Sequence, residues 1–444
     1  MKTYDSYKES EIEYVGLIPN HWEVKRIRHV AKIFGRIGYR GYTVSDLVHN
    51  GEGAITISPS NMKDSNLDFS ECTFLSWEKY EESPEIKIYE DDILFVKTGS
   101  TYGKSAIVRQ LPKEATINPQ IVVFKNISCD NLFLWYSIKA PFIQLQVEET
   151  VVGGTIPTIS QSKINNYTFP LPPSLQEQSA IASYLDRKTA EIDELIADKK
   201  RLLELYEEEK TAVINQAVTK GLDPNSTTKD SGIDWIGEIP EHWGVKRIDR
   251  VTNIVRGNTG FKKDELLVSG EYVALQYGKT YKVNEINGSF NFFVNSEFYK
   301  SNQIVQFGDV ILISTSETIE DLGHSCFYAR EEIGLLGGEQ ILLRPISSSI
   351  LGKFLYYSSK VFCVQLRKFA TGIKVYRFNI DNLKEMYTVI PPIDEQILIV
   401  QYIDNEITRL DTKKAKTQKL IDLLTEYRTA LISEVVTGKV KVTD

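Results

Sequence analysis

The stretch PPSLQEQSAIASYLDRKTAEIDELIADKKRLLELYEEEKTAVINQAVTKG runs from Pro172 to Gly221 and predicts one long helix. Ser174 and Glu177 form a capping-box pattern at its start, and Gly221 is suited to end it. At ~1.5 Å per residue the helix would be about 65 to 70 Å long. An ordinary core helix is the alternative, but a globular core seldom needs such a length, which favours a spacer.

A second stretch of the same kind, PPIDEQILIVQYIDNEITRLDTKKAKTQKLIDLLTEYRTALISEVVTGK, starts at Pro391. In steps of three and four, both stretches carry an apolar seam with polar interruptions such as Lys188, which is typical of a helix with one partner helix. The predicted seam consists of Ile181, Leu185, Ile192, Leu195, Leu202, Tyr206, Val213, Ile399, Ile403, Leu410, Leu420, Leu424 and Leu431. We therefore expect the two helices to pair with each other as a coiled coil.

Another repeat lies ahead of each helix. The segments IEYVGLIPNHWEVKRIRHVAKI (12–33) and IDWIGEIPEHWGVKRIDRVTNI (233–254) share the pattern IPxHWxVKRI. We call this pattern the tryptophan motif, after Trp22 and Trp243. Because the motif and the helix recur in the same order, the chain is predicted to run as head, helix, head, helix.

The residues between motif and helix predict a mixture of strands and short helices. β-branched runs bounded by turn residues, such as AITIS from Ala54 and DILFVKTG from Asp92, are typical of strands. Their counterparts in the second copy are EYVALQYG from Glu271 and DVILIST from Asp309. A short helical segment follows in each copy, so we infer an α+β head that is present twice.

The predicted organisation is a first target-recognition head at 1–171, a first spacer helix at 172–221, a linker at 222–232, a second head at 233–390, a second spacer helix at 391–438 and a tail at 439–444. The linker is polar and rich in turn residues, so it is expected at the surface. Because it is short, the second helix is expected to return antiparallel to the first. The predicted fold class is therefore α+β, with two pseudo-repeated heads separated by two long antiparallel helices and related by an approximate two-fold axis.

Composition favours a cytoplasmic protein. No apolar run approaches the ~20 residues that cross a bilayer, and the polar, acidic start is unlike a signal peptide. The cysteines are scattered with no CxxC pair, which favours free thiols in a reducing cytoplasm. The net charge of −8 argues against nucleic-acid binding through bulk electrostatics, although local basic surfaces remain compatible with it.

The sequence shows no convincing catalytic or metal-binding pattern. GSTYGKS (99–105) resembles a phosphate-binding loop, but it is one residue short between its glycines and leads into a strand-like run. The histidines have no metal-ligand spacing, and His21 and His242, beside the tryptophans, are interpreted as structural. We therefore expect no catalytic residue, no metal and no cofactor in this chain, and a function in recognition.

Polar, basic and aromatic residues collect in predicted turns of both heads, in combinations suited to base-edge hydrogen bonds and phosphate contacts on DNA. Those of the first head are Arg36, Tyr39, Arg40, Tyr42, Asn61, Lys97, Thr98, Ser100, Thr101, Tyr102, Lys104, Gly154 and Thr155. Those of the second head are Arg256, Asn258, Thr259, Lys262, Lys263, Tyr277, Lys279, Thr315, Thr318, Lys374, Tyr376 and Arg377. Each residue alone is more typical of a solvated loop, and the hypothesis rests on their recurrence in matching loops of both heads.

These features together resemble one family, the specificity subunits of Type I restriction-modification systems. The tryptophan motif, the DILF and DVIL strands, the helix start with its PP and EQ pairs and the doubled layout carry the resemblance, which covers nearly the whole chain. It implies two target-recognition domains that each read half of a split site in double-stranded DNA, and helices that hold them apart and dock two methyltransferase subunits. It also implies motor-nuclease subunits joined through the methyltransferases, with S-adenosylmethionine, ATP and Mg²⁺ in those partners.

Two other interpretations stay open at this point. A freestanding DNA-modifying enzyme would need a cofactor loop or an acidic metal cluster, and a supplied cofactor that raised the melting temperature of this chain would favour it. A coiled-coil scaffold that binds only proteins would not shift DNA in a gel when it is combined with a methyltransferase partner.

Overall fold

The computed structural model describes residues 2–63, 66–346 and 348–442 and divides the chain into two compact units. The first unit comprises Met1–Lys200 and Lys419–Asp444, and the second comprises Arg201–Gln418. Each unit therefore contains one head together with parts of both long helices.

The first head contains two main sheets and several short helices. Its strands are β1 (Tyr7–Glu9), β2 (Leu17–Pro19), β3 (Glu23–Arg26), β4 (Lys32–Gly35), β5 (Leu47–Val48), β6 (Ala54–Ile57), β7 (Met62–Lys63), β8 (Asn66–Leu67), β9 (Thr73–Leu75), β10 (Lys87–Ile88), β11 (Ile93–Val96), β12 (Ser105–Ile107), β13 (Ala115–Ile117), β14 (Ile121–Lys125) and β15 (Thr168–Leu171). Its helices are α1 (Trp77–Glu81), α2 (Asn131–Lys139), α3 (Pro141–Thr150) and α4 (Gln161–Ile164). The long helix α5 (Leu175–Lys220) follows.

An antiparallel sheet with the strand order β12-β11-β14-β4 positions the loops of the first head. Val96 lies opposite Ile121, and Gly35 lies opposite Val122. The strands β4 and β11 therefore end, and β12 and β14 begin, at the same edge, which we call the first loop edge. A second sheet, ordered β10-β13-β6-β9-β5, includes one parallel pair between β13 and β6.

The second head repeats this plan. Its strands are β16 (Thr228–Asp230), β17 (Glu238–Pro240), β18 (Gly244–Arg247), β19 (Thr252–Arg256), β20 (Tyr272–Leu275), β21 (Glu285–Ile286), β22 (Phe293–Val294), β23 (Ile304–Val305), β24 (Val310–Ile313), β25 (Thr315–Ser316), β26 (Ser325–Tyr328), β27 (Gly334–Leu336), β28 (Gln340–Pro345), β29 (Tyr376–Arg377) and β30 (Tyr387–Ile390). Its helices are α6 (Tyr277–Thr280), α7 (Gly352–Leu366) and α8 (Ile380–Lys384), and the long helix α9 (Ile393–Val436) follows.

The sheet that matches the loop-bearing sheet of the first head has the order β19-β28-β24-β26-β21. Arg256 lies opposite Ile341, and Ile313 lies opposite Gln340. The ends of β19 and β24 and the start of β28 therefore share one edge, which we call the second loop edge. The other sheet, β22-β20-β27-β23, again contains a single parallel pair, between β20 and β27.

Each head is held together by strands that are buried on both faces. All four residues of β11, ILFV, and of β24, VILI, are buried. Their apolar runs pack on one side against α2 or α7, whose Phe133 and Phe354 are fully buried. Burying each such side chain contributes about 1.5–3 kcal/mol to the free energy of folding. The loops at the edge of the sheet are therefore attached to a well-packed core.

The main elements expected from the sequence are confirmed. The runs from Ala54, Asp92, Glu271 and Asp309 form β6, β11, β20 and β24, and both long helices are present. The GSTYGKS loop leads into strand β12 rather than into a helix. No helix within the described residues is long and apolar enough to cross a membrane.

The helix segments run antiparallel within each unit. In the first unit Arg428 pairs with Asp193 at 2.9 Å, while the end of α9 lies near the start of α5. In the second unit Lys414 pairs with Glu207 at 2.5 Å, and Lys210 pairs with Asp411 at 3.2 Å. In both pairings the residue number rises along one helix as it falls along the other, which confirms the predicted direction.

Of the thirteen predicted seam residues, seven are buried, four are partly buried and two are exposed. Buried seam residues are Ile181, Leu185, Ile192, Ile399, Ile403, Leu410 and Leu431, and partly buried ones are Leu202, Tyr206, Val213 and Leu424. Leu195 and Leu420 are instead 39% and 41% exposed, because their neighbours Ile196 and Ile421 face inwards. Thr189, not Lys188, occupies the buried position before Ile192. The real spacing is thus closer to the straight-helix period of ~3.6 residues than to a strict heptad.

Candidate nucleic-acid interface

The tryptophan motif fixes the first head to the start of α5. Trp22 is fully buried, and its indole Nε1 donates to Glu177 Oε1 at 3.1 Å. Tyr4 donates to the same carboxylate at 2.8 Å, and His21 Nε2 lies 3.1 Å from it. The Ser174 hydroxyl caps the helix through the Glu177 N–H at 3.4 Å. The predicted capping box is therefore only half correct. The Glu177 carboxylate accepts from the buried Trp22 indole instead of capping the helix.

The second head uses the same contacts. Trp243 Nε1 donates to Glu395 Oε2 at 2.9 Å, and His242 Nε2 lies 2.7 Å from Glu395 Oε1. In the first unit the end of α9 also meets the motif, because a Cβ on Gly438 would lie 3.3 Å from the Trp22 ring. The equivalent distance from Gly221, at the end of α5, to Trp243 is 3.1 Å. Each tryptophan thus contacts the start of one long helix and the end of the other.

A buried glutamine completes each joint. Gln178 Nε2 donates to the Pro172 carbonyl at 2.7 Å, and its Oε1 accepts from the Asp130 N–H at 2.8 Å. Gln396 donates to the Pro391 carbonyl at 2.9 Å and accepts from the Leu351 N–H at 2.8 Å. The glutamine therefore ties the start of each long helix to the start of a head helix, α2 or α7.

Each head helix also carries a buried lysine at the same position. Lys139 lies over the Trp135 ring at 4.4 Å, and Lys360 lies over the Tyr356 ring at 4.8 Å. Burial lowers the pKa of Lys139 to about 7 and that of Lys360 to about 8. The Lys139 ammonium lies near Asp193 and Arg428 of the long helices, and Lys360 Nζ donates to the Ser325 carbonyl at 2.7 Å and to Asn284 Oδ1 at 3.1 Å.

Three segments that are distant in sequence meet at the first loop edge. The loop after β11 is fixed to the start of β14, because the Lys97 N–H donates to the Gln120 carbonyl at 2.8 Å. The same loop is fixed to segment 152–158, where the hydroxyls of Thr98 and Thr158 lie 2.7 Å apart. The first loop edge therefore presents the loops after β4 and β11 together with segment 152–158.

The second loop edge has the same construction. The Ser314 N–H donates to the Glu339 carbonyl at 3.1 Å, as Lys97 does to Gln120. Thr315 pairs with Arg377 in a short ladder, β25 with β29, which ties segment 371–377 to the loop after β24. Tyr277 adds a contact from α6, because its hydroxyl donates to the Thr315 carbonyl at 2.9 Å.

The segments 152–158 and 371–377 are matching hairpins, which we call the first and second hairpin. Each is closed by two reciprocal backbone hydrogen bonds between its end residues, at 2.8 to 2.9 Å in the first and 2.9 to 3.0 Å in the second. A glycine is required in each, because Gly153 has φ 101° and Gly372 has φ 112°. The tips expose apolar side chains, with Ile156 64% and Ile373 95% exposed.

A sequence model of the family described as "Type I restriction modification DNA specificity domain" matches residues 19–205 and 240–421. The chain belongs to this family. The two matches cover most of the chain and correspond to the two copies of the repeat. The function of the protein is therefore DNA sequence recognition for a Type I restriction-modification system.

Relatives and solved structures agree with the family. The chain is 23% identical over 452 residues to the putative type I restriction enzyme MjaX specificity subunit of Methanocaldococcus jannaschii, with 99% of this chain and 97% of that protein covered. It is 26% identical over 214 residues to the EcoKI specificity subunit of Escherichia coli, in a match that spans 46% of this chain and 44% of that protein.

The fold matches two solved structures over 95% of this chain, each at 15% identity. One, from a study of complex assembly and conformational transition of the type I R-M system, has a TM-score of 0.71 and is covered over 99% of its length. The HsdS subunit of Thermoanaerobacter tengcongensis has a TM-score of 0.54 and is covered over 98%. These likenesses concern the fold.

Most predicted DNA-contacting residues of the first specificity domain lie in the loops of its edge. Ser100, Thr101, Gly154 and Thr155 are exposed, and Lys97, Thr98, Tyr102 and Lys104 are partly exposed. Tyr42 and Arg40 are partly exposed in the loop after β4, where Arg40 pairs with Glu85 at 3.4 Å. The side chain of Tyr39 lies outside the described part of the chain.

Two residues predicted at this surface are buried instead. Arg36 donates to the Ile117 carbonyl at 3.2 Å and to the Thr116 hydroxyl at 3.1 Å, and burial lowers its pKa. Asn61 is 5% exposed and donates to the carbonyls of Asp68 and Glu71. Their polar atoms hold turns of the first head together, so the structure does not place them among the accessible groups.

The second specificity domain shows a similar division. Arg256, Asn258, Lys262, Lys263, Thr318, Lys374 and Arg377 are exposed, Tyr277, Lys279 and Tyr376 are partly exposed, and Thr259 and Thr315 are buried. Lys279 lies over the Phe292 ring at 4.5 Å, and Asn258 Oδ1 accepts from Lys300 Nζ at 3.0 Å. The hydroxyl of Thr315 donates to the Glu339 carboxylate.

Sequence reasoning missed Gln120 and Glu339 as members of the loop edges. Each directly precedes a central strand, β14 or β28, and lies beside the loop that follows β11 or β24. A signal was available, since the strand runs QIVVFK and EQILLRP each start at or next to these residues. A polar residue before a buried apolar run in a recognition domain marks a strand that begins at an exposed edge.

Proposed function

We propose that the chain is a non-catalytic recognition subunit in which each head reads one half of a split site in double-stranded DNA. The equivalence of the two loop edges carries this proposal. Each edge joins a strand loop and a hairpin through matched contacts, Thr98 to Thr158 and Thr315 to Arg377. Hydroxyl, amide and basic groups exposed on such an edge suit base-edge readout combined with phosphate contacts.

We further propose that the paired helices set the distance between the half-sites and dock two methyltransferase subunits, through which motor-nuclease subunits join. Exposed apolar residues at matching positions support the docking, since Leu205 of α5 is 42% exposed and Leu423 of α9 is 51% exposed. S-adenosylmethionine, ATP and Mg²⁺ are expected in those partners and none in this chain. The complex would act in the cytoplasm.

A head exchange tests the proposed function. Residues Lys25–Tyr167 are replaced by the first head of another family member, and the variant is produced with its methyltransferase subunit in cells that lack other methyltransferases. The bounds lie in β3 and just before β15, so the exchange leaves the tryptophan and both helices in place. Methylome sequencing is expected to show one new half-site and one unchanged half-site.

The matched control replaces Lys246–Met386, which is bounded by the equivalent strands β18 and β30. That exchange is expected to change the other half-site only. If either exchange changed both half-sites together, or neither half-site changed, the heads would not be independent readers.

A further inference from the structure

The two loop edges carry side chains of different chemistry at the matched position before the central strand, Gln120 and Glu339. Gln120 and Glu339 both directly precede the central strand of their sheet, and their carbonyls accept the matching N–H groups of Lys97 and Ser314 at 2.8 and 3.1 Å. The carbonyl at this position therefore accepts the same hydrogen bond in both heads, whereas the backbone of Glu339 alone has a positive φ. The side chain is an amide in the first head and a carboxylate in the second.

The Gln120 side chain is held by its own turn. Its Oε1 accepts from Asn118 Nδ2 at 3.1 Å, and its backbone N–H donates to Asn118 Oδ1 at 3.0 Å. Its Nε2 faces Gly99, where an added Cβ would lie 3.2 Å away. The amide is thus positioned over the loop after β11, with both a donor and an acceptor at its head.

The Glu339 side chain is exposed and oriented by Thr315, whose hydroxyl donates to Oε2. Thr315 is itself fixed by Tyr277 and by pairing with the second hairpin. Glu339 also has φ 60°, in the left-handed region that residues other than glycine seldom adopt. Such a conformation is kept only where the surrounding structure enforces it, and it is enriched at functional sites.

The charge of Glu339 is unexpected on a surface that approaches DNA, because a carboxylate repels phosphates. A carboxylate is favourable there only if it meets a hydrogen-bond donor, and among base edges in the major groove the amino group of cytosine is its usual partner. A glutamine amide can instead donate and accept at once, which suits the paired acceptor and donor of adenine.

We propose that this position determines one base pair of each half-site, with Glu339 accepting from a cytosine amino group and Gln120 pairing with an adenine. The proposal rests on the proposed function and deepens it, because it assigns a base class to one residue of each head. Hydrogen bonds from Thr315 and Asn118 pre-orient the two side chains for this contact.

Reciprocal substitutions test the assignment. Glu339→Gln and Gln120→Glu are introduced separately into the full chain, which is produced with its methyltransferase subunit and analysed by methylome sequencing. Glu339→Gln is expected to shift one base pair of one half-site from cytosine to adenine by about tenfold or more, and Gln120→Glu to cause the opposite shift in the other half-site. Competition binding with duplexes that carry each base pair at every half-site position gives the same profile for a variant that methylates poorly.

Glu317→Gln is the matched control, since Glu317 is an exposed carboxylate in the loop after β24. It is expected to leave both half-sites unchanged. The inference fails if Glu339→Gln leaves the base profile of its half-site unaltered, or if Glu317→Gln alters it equally. The proposed function fails separately, if the unsubstituted complex recognises no split site.

Discussion

A glutamate and a glutamine at the start of each long helix hold a head in place. In the second unit Glu395 accepts from the buried indole of Trp243, while Gln396 satisfies three backbone groups of neighbouring segments. Burial of an indole N–H or of a backbone N–H without a partner is costly, so these two side chains make the surrounding burial possible. The Glu-Gln pair at the start of each long helix is thus explained by the joint and not by helix capping.

Replacing Gln396 by alanine is expected to lower the free energy of unfolding by about 1–3 kcal/mol, because loss of the fully buried amide removes the hydrogen bonds to the Leu351 N–H and the Pro391 carbonyl. Denaturant unfolding of the full chain measures the change. Gln401→Ala, at an exposed position of the same helix, is the control and should stay within about 0.5 kcal/mol. Equal losses in both variants would show that the buried amide has no special role.

Residue type and position in a turn predicted several exposed groups correctly, including Ser100, Thr155 and Lys374. They failed for Arg36, whose partners Thr116 and Ile117 lie in another sheet far along the chain. They also missed Glu339, because its place beside Thr315 follows from strand order. Local sequence predicts which polar residues lie in turns, whereas sheet topology decides which of them are accessible.

At the scale of elements, the long helices serve the heads as well as each other. Thr189 is buried because its hydroxyl lies 2.9 Å from the Tyr136 hydroxyl of α2. In the first unit this face of α5 therefore packs on the head helix α2. A heptad seam, which assumes contact with one partner helix only, does not predict this contact. The heptad pattern predicted the existence and direction of the pair, but the register depends on contacts with the head.

Alanine substitutions at Ile192 and Leu195 test this register. Ile192 is 7% exposed and Leu195 is 39% exposed, although they lie within one turn of each other in the same unit. Ile192→Ala is expected to cost about 2–4 kcal/mol, and Leu195→Ala less than about 1 kcal/mol. Chemical denaturation followed by circular dichroism gives both values. A larger loss of unfolding free energy for Leu195→Ala than for Ile192→Ala would favour the strict heptad seam instead.

The strands were predictable because each is a short, continuous apolar run, as in β11 and β24. The hairpins were not. The contact of Thr98 with Thr158 joins residues on either side of five elements, and nothing in the local pattern of either segment indicates it. The equivalent pairing of Thr315 with Arg377 in the second head is also between segments far apart in sequence. Both contacts follow from the fold of the head and not from local sequence.

At the scale of the whole molecule, chain order and structural units differ. The first unit combines Met1–Lys200 with Lys419–Asp444, so residues from both ends of the chain build it. Lys441 donates its N–H to the Lys2 carbonyl at 2.9 Å within this unit. The sequence marks where each helix starts, whereas the compact units divide within the helices.

Since the helices belong to both units, their length is proposed to fix the spacing of the two half-sites. One heptad is inserted after Leu195 of α5 and another at the facing level of α9. The pairing of Asp193 with Arg428 puts that level close to Glu426. Seven residues are about two helical turns, so the insertion keeps the inward face of each helix on nearly the same side and lengthens the pair by ~10.5 Å. A heptad in one helix alone breaks the seam and serves as the control for folding.

On B-DNA the added length corresponds to about three base pairs at roughly 3.4 Å each. It also rotates one half-site by about a third of a turn relative to the other, at about 10.5 base pairs per turn. We expect methylome sequencing to show either a gap longer by about three base pairs with both half-sites unchanged, or lost activity while circular dichroism shows an intact fold. The first outcome means that the heads tolerate the rotation, and the second means that they do not. Full activity on the original spacing would show that the helices do not set the distance, and that the heads reach their half-sites by moving independently.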